Sequence, residues 1–222
     1  MAATDLLRRS VAEAAGTALL LAAVVGSGIM AERLAQGNVA LALLANAMAT
    51  GAALYALILT FAPLSGAHFN PLVTLVAASA GAVRWRGALG YLVAQFAGGI
   101  VGVLLAHLMF AAPLLQISSH VRSGLGQWAG EFVASFGLIA VIESGKRHFP
   151  AALAGAVACY ITAAYWFTSS TSFANPAVTL ARALTDSFAG IAPASVPAFI
   201  AAQLAGAASA AALWRWVDRP TG

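Results

Sequence analysis

Two asparagines, each followed by proline, are the residues of this chain best suited to handle a solute. Asn70-Pro71-Leu72-Val73-Thr74-Leu75 is matched by Asn175-Pro176-Ala177-Val178-Thr179-Leu180. A carboxamide carries no charge, yet it offers two N–H donors and a carbonyl acceptor, so it binds a hydroxyl weakly and releases it. Asparagine is also a favoured helix cap, and proline fits the first helical position, where its missing N–H had no partner anyway. Capping alone would account for either dipeptide; their matched positions and apolar surroundings favour a role in handling solute. Glu13 and Glu131 are carboxylates inside apolar runs, and intramembrane carboxylates normally carry function, a proton relay being one reading. No Walker loop, nucleotide fingerprint or nucleophile–base arrangement is present in the sequence, so no enzyme and no catalytic residue is read from it. His107, His120 and His148 are far apart and lack metal-ligand spacing. Cys159, the one cysteine, reads as a small apolar filler. No cofactor or metal is expected.

These residues must be positioned by a membrane fold. Of the 222 residues, 61% are hydrophobic and 8% charged, too few charges to coat a globule of this size in water. The basic residues are scattered and not interleaved with aromatics, which argues against nucleic-acid binding. A helix needs about 20 residues to cross the hydrocarbon core, and six stretches qualify: about 11–30, 39–62, 88–110, 126–144, 150–168 and 195–217. The first begins after Arg8 and Arg9 like a signal peptide, but it contains Glu13 and is too long for one, so it reads as a retained span. Two shorter runs, about 71–80 and 176–185, begin at Asn-Pro and cannot span; each reads as a re-entrant half-helix. With both termini cytoplasmic, eight of the eleven Lys and Arg residues fall inside (Arg8, Arg9, Arg84, Arg86, Lys146, Arg147, Arg215, Arg219) and three outside (Arg33, Arg122, Arg182).

The two halves repeat. Glu13 pairs with Glu131, Gln95 and Gly98 with Gln203 and Gly206, and the two Asn-Pro hexapeptides with each other. Three spans per half is an odd number, so the second half enters the membrane inverted, and such repeats place the transport site near the midplane at their interface. The reading is a single all-α membrane domain over 1–222, with inverted repeats at about 8–112 and 125–219.

The motifs Ser65-Gly66-Ala67-His68-Phe69-Asn70-Pro71 and Asn175-Pro176-Ala177, the early Glu13 and the Gln-x-x-Gly pairs resemble the aquaporin and aquaglyceroporin family over essentially the whole chain. The pairing of Asn-Pro-Leu with Asn-Pro-Ala-Val is similar to a bacterial subgroup associated with arsenic-resistance operons. The resemblance implies two half-helices meeting end to end at mid-membrane, one pore per subunit, a homotetramer in lipid, and the plasma (inner) membrane of a bacterial cell. It implies a central constriction at Asn70, Pro71, Leu72, Asn175, Pro176 and Ala177, with the amides donating to the solute. Backbone carbonyls at Gly66, Ala67, His68, Thr171, Ser172 and Phe173 would line the path, and Glu13 and Glu131 would brace the loops rather than relay protons. His68 lines the path by its backbone, with side-chain gating as a second reading.

One position departs from the family pattern. Arginine usually follows the second Asn-Pro-Ala, whereas this chain has Val178. Counting along the aligned motifs puts the other three constriction positions at Thr50, Ala163 and Ser172. Four small, uncharged residues imply a wide throat lacking a positive charge, which would be worth about 4 kcal/mol against a cation about 4 Å away at an effective dielectric near 20. The expected solutes are neutral and bulkier than water, such as glycerol-like polyols and undissociated arsenous acid, with imperfect rejection of cations. Arg182 lies one turn beyond Val178. It is expected either at the outer vestibule or, preferably, paired with Asp186 four residues on.

Overall fold

The computed structural model describes residues 3–217; Arg219 and the end of the second expected repeat lie outside the described residues. Eight α-helices follow in order: α1 (Ala3–Ala35), α2 (Val39–Ser65), α3 (Pro71–Ser79), α4 (Trp85–Met109), α5 (Leu125–His148), α6 (Leu153–Phe167), α7 (Pro176–Ala181) and α8 (Val196–Val217). Six of them, all but α3 and α7, are long and apolar enough to cross a membrane, α6 together with the 3-10 turn Pro150–Ala152 that leads into it. The nine residues of α3 and six of α7 rise only about 14 and 9 Å at 1.5 Å per residue. The architecture is that of an all-α membrane protein with six spans and two half-helices.

The boundaries differ from the sequence reading mainly at ends that polar residues extend. α1 begins two turns earlier than expected, where Asp5 in its first turn pairs with Arg9 at 3.1 Å. α7 closes after Ala181 into a 3-10 turn, Arg182–Leu184, so the second half-helix is shorter than the expected 176–185.

Glycine explains how the long helices pack. α1 lies against α4 and α2, and α5 lies against α8 and α6. A Cβ at Gly98 or Gly102 would strike the Ala14 or Ala18 carbonyl of α1, and one at Gly206 would strike the Phe132 carbonyl of α5. Helix backbones can approach this closely only where a side chain is missing. The glycine of each Gln-x-x-Gly thus brings its glutamine against the facing helix. Leu44 and Met48 on α2 and Leu89 and Val93 on α4 point outward and are exposed, an arrangement that suits lipid and not water.

Candidate functional site

The segments that lead into the half-helices are neither helix nor strand. Ala67, Phe69, Thr171, Ser172 and Ala174 all have φ between 46° and 61°, and Gly66 has φ 94°. Position for position, 66, 67 and 69 correspond to 171, 172 and 174. Left-handed backbone at residues other than glycine costs about 1–3 kcal/mol each and persists only where the surroundings enforce it. The carbonyls of Gly66, Ala67, His68, Thr171, Ser172 and Phe173 accept no hydrogen bond from the protein among the described residues.

Two buried carboxylates do the enforcing. Glu13 is fully buried and accepts from His68 N at 2.9 Å, Phe69 N at 2.7 Å, Ser65 Oγ at 2.6 Å and Gln95 Nε2 at 2.8 Å. Glu131 is equally buried and accepts from Phe173 N and Ala174 N at 2.9 Å and from Gln203 Nε2 at 2.6 Å. Each glutamine also donates to the threonine of its half-helix, Thr74 at 2.9 Å or Thr179 at 2.7 Å. Ala67 N donates to Ser65 Oγ and Ser172 N to Ser170 Oγ, at 3.1 and 3.2 Å. The serines had no role in the sequence reading; their matched spacing before each asparagine was the signal available. Neither glutamate borders the cavity described next.

The half-helices meet at their asparagines. Asn70 Nδ2 donates to the Ala174 carbonyl and Asn175 Nδ2 to the Phe69 carbonyl, both at 2.8 Å. The side-chain oxygens cap their own helices, Asn70 through Leu72 N and Asn175 through Ala177 N and Val178 N. One N–H of each amide is thus spent across the repeat interface, and no protein acceptor takes the other among the described residues.

A cavity of about 560 Å³ runs past both amides, from Arg9 and Lys146 at one end to Val178 and Arg182 at the other. Asn70, Asn175, Gly66, Ala67, His68 and Phe173 border it, as do Thr50, Ser172 and Val178. Pro71, Leu72, Pro176 and Ala177 do not; they are buried behind the asparagines as the first turns of the half-helices. Thr171 does not border the cavity either. Ala163, expected in the constriction, is exposed on the outer flank of α6. Because α6 stays helical to Phe167, the face turned inward is Val157, Ile161 and Tyr165, spaced at i, i+4 and i+8. Tyr165 stands at the cavity where Ala163 was expected, and its hydroxyl donates to Thr50 Oγ1 at 3.3 Å.

The expectation of a throat without fixed charge also changes. Arg182 is 2% exposed and borders the cavity. Its Nε donates to the Ala189 carbonyl and its guanidinium lies 3.4 Å from the Phe173 ring centroid. It does not pair with Asp186. That carboxylate instead accepts from Ser119 N at 2.7 Å and Ser119 Oγ at 2.8 Å, with His120 at 3.9 Å. The Ser119 N–H and hydroxyl hold the Asp186 carboxyl below the usual carboxylate range. Arg122, another of the three outside charges, reaches in as well. Its Nε donates to the Gly190 carbonyl at 2.7 Å, and its guanidinium sits 5.1 Å from the same Phe173 ring. Nearby, fully buried His107 bridges the Leu114 carbonyl and Thr185 Oγ1, both at 2.9 Å, tying the loop before α5 to the loop after α7.

Six spans, two half-helices joined at capped asparagines and a cavity between them define a membrane channel architecture. The sequence pattern of the major intrinsic protein family matches residues 1–148. Aquaglyceroporin AqpS of Rhizobium meliloti (strain 1021) is 56% identical over 216 residues, covering 97% of this chain and 92% of that protein. Aquaporin TIP1-2 of Zea mays is 33% identical over 140 residues, 61% of this chain and 55% of that one. The X-ray structure of the aquaglyceroporin from Plasmodium falciparum superposes with a TM-score of 0.76 over 97% of this chain and 98% of its own, at 19% identity, which speaks to the fold alone. The chain belongs to the major intrinsic protein family. It is a multi-pass membrane channel for small solutes and not an enzyme.

Proposed function

We propose that the chain is a passive channel for compact, uncharged, hydroxyl-bearing solutes: glycerol-like polyols, undissociated arsenous acid and related arsenicals, and water. The observation that carries this reading is the asparagine pair. Each amide is held at 2.8 Å by the opposite loop, while its second N–H has no protein acceptor and the side chain borders the cavity. Two pre-aimed neutral donors, with partner-free carbonyls before and after them, suit a solute that both donates and accepts. Weak, repeated sites of this kind let a solute enter and leave. Thr50, Ser172 and Val178, joined by Tyr165 and Arg182, form the selectivity region in this reading. Val178 leaves space where a longer side chain would narrow the path.

The two glutamates favour a channel over a proton-coupled carrier. Their oxygens are filled by backbone and side-chain donors, and they stand behind the loops rather than in the cavity. In the same reading the protein is a homotetramer in the bacterial inner membrane with both termini cytoplasmic. The arginine bias supports the orientation, and the bacterial aquaglyceroporin relative supports a bacterial membrane setting; the tetramer rests on the family resemblance. Vesicles containing the purified protein, challenged in turn with water, glycerol and arsenous acid, provide the test. Glycerol and arsenous acid should both enter faster than in protein-free vesicles, linearly with gradient and without response to a pH difference. Entry of water alone would overturn the solute assignment, and saturating, pH-driven entry would favour a carrier.

A further inference from the structure

The outer half of the cavity holds more positive charge than its surroundings balance. Arg182 and Arg122 both lie against the ring of Phe173, at 3.4 and 5.1 Å from its centroid. Neither of these arginines takes part in the ion pairs Arg9–Asp5, His120–Asp186 and Lys146–Glu143. The buried carboxylate of this half, Glu131, is committed to Phe173 N, Ala174 N and Gln203. Two guanidiniums therefore share one buried carboxylate, the exposed Glu32 and Asp186 being held by Phe188 N and by Ser119, so the buried groups of this half carry an excess of one positive charge.

The surplus lies on the cavity side. Arg122 spends its nitrogens on the carbonyls of Gly190, Ser170 and Phe188. Among the described residues Arg182 donates through Nε to the Ala189 carbonyl and has the Tyr165 hydroxyl as its other side-chain partner, so part of its fork is left facing the cavity that it borders at 2% exposure. A second, independent observation comes from the residue next to Phe173: Ser172 is buried, borders the same cavity, and its Oγ has no hydrogen-bond partner among the described residues. No Asp or Glu is among the bordering residues. A cation kept from water without a counter-ion is costly, and carbonyls offset that cost only in part. The planar guanidinium fork matches planar oxyanions.

We infer that Arg182 and Ser172 form a binding site for small, planar, monovalent oxyanions, of which formate serves as the probe, and that an occupant obstructs the passage of neutral solutes. Only the obstruction rests on the proposed channel function; the site itself does not. Val178, apolar and one turn before Arg182, leaves the space the occupant needs.

Formate binding is read on the full-length protein in detergent at neutral pH, by saturation transfer to the formate proton. The wild type should give a transfer signal that Arg182→Gln loses. Ser172→Asp, which tethers a carboxylate beside the intact guanidinium, should lose it too, so a misfolded glutamine variant leaves the test standing. No signal from the wild type, or a signal that both variants retain, would overturn the site. Glycerol entry into vesicles with sodium formate on both sides, compared with sodium gluconate at equal ionic strength, reads the obstruction. Formate should slow entry severalfold in the wild type and leave Ser172→Asp unaffected; equal rates in the wild type would overturn the obstruction while leaving the channel reading intact. Absence of any glycerol entry would instead count against the channel reading, and the saturation-transfer result would still decide the site.

Discussion

The two half-loops share a frame and differ in what they present to the cavity. Each has a glutamate accepting the two N–H groups before the last residue preceding the half-helix, a glutamine joining that glutamate to a threonine, and a serine capping the turn. Beyond the frame they part. The first loop has Ala67 and His68 where the second has Ser172 and Phe173, and only the second is flanked by two guanidiniums. The difference points to a division of labour: the equivalent glutamates, glutamines and serines hold strained backbone, the equivalent asparagines offer the same donor from each half, and the residues that differ make the outer end chemically unlike the inner one.

Removing a brace tests the shared frame and should have the largest effect. Glu13→Ala orphans four donors and Glu131→Ala three, each buried donor costing about 1–3 kcal/mol. Both variants should lose most of their folded yield, with Glu13→Ala melting lower in detergent. The difference traces to Ser65, which donates to Glu13 at 2.6 Å, whereas Ser170 turns to Thr168 at 3.4 Å. Equal melting, or the reverse order, would break the frame account.

Gly98→Ala and Gly206→Ala probe the symmetric helix crossings. Each added methyl meets the carbonyl of a facing helix, and overpacking of this kind costs about 1–3 kcal/mol. The two variants should drop in melting temperature by similar amounts. A drop in one alone would mean that the halves pack differently.

Smaller effects should appear where the halves differ. Arg182→Gln removes a buried charge from the outer end only, and potassium current through bilayers holding the variant should rise about tenfold, a barrier loss of about 1.4 kcal/mol. An unchanged current would assign cation rejection to the half-helix dipoles alone. Tyr165→Phe removes one neutral hydroxyl contact worth about 1 kcal/mol. Glycerol entry should change by no more than about fivefold, and a larger change would make the Tyr165–Thr50 contact a gate.

Much of this was legible in the sequence. A polar or charged side chain inside an apolar run is rare enough to stand out, so Glu13 pairs with Glu131 and Gln95 with Gln203 on sequence alone. The Asn-Pro hexapeptides are specific enough to place the start of both half-helices, though not the end of the second. Side-chain direction was not legible. Counting back from Asn175 pointed to Ala163, but α6 keeps its helical phase to Phe167 and turns Ile161 and Tyr165 inward instead. The i, i+4 spacing of Arg182 and Asp186 suggested a pair, yet the helix ends at Ala181 and the chain turns away. Asp186 is then captured by Ser119, from a loop 67 residues earlier in the chain. Partners that come from such loops, Arg122 among them, leave no periodic trace.

Val178→Arg tests the central claim most directly, measured by light scattering of vesicles that carry either form and are challenged with water and with glycerol. A long side chain at this point should narrow the outer throat for the bulkier solute. The expected result is a fall in glycerol entry of about tenfold, equivalent to about 1.4 kcal/mol of added barrier, with water entry far less affected. Equal reductions of the two, or no reduction of either, would contradict a solute path that passes the asparagine pair and leaves beside Val178.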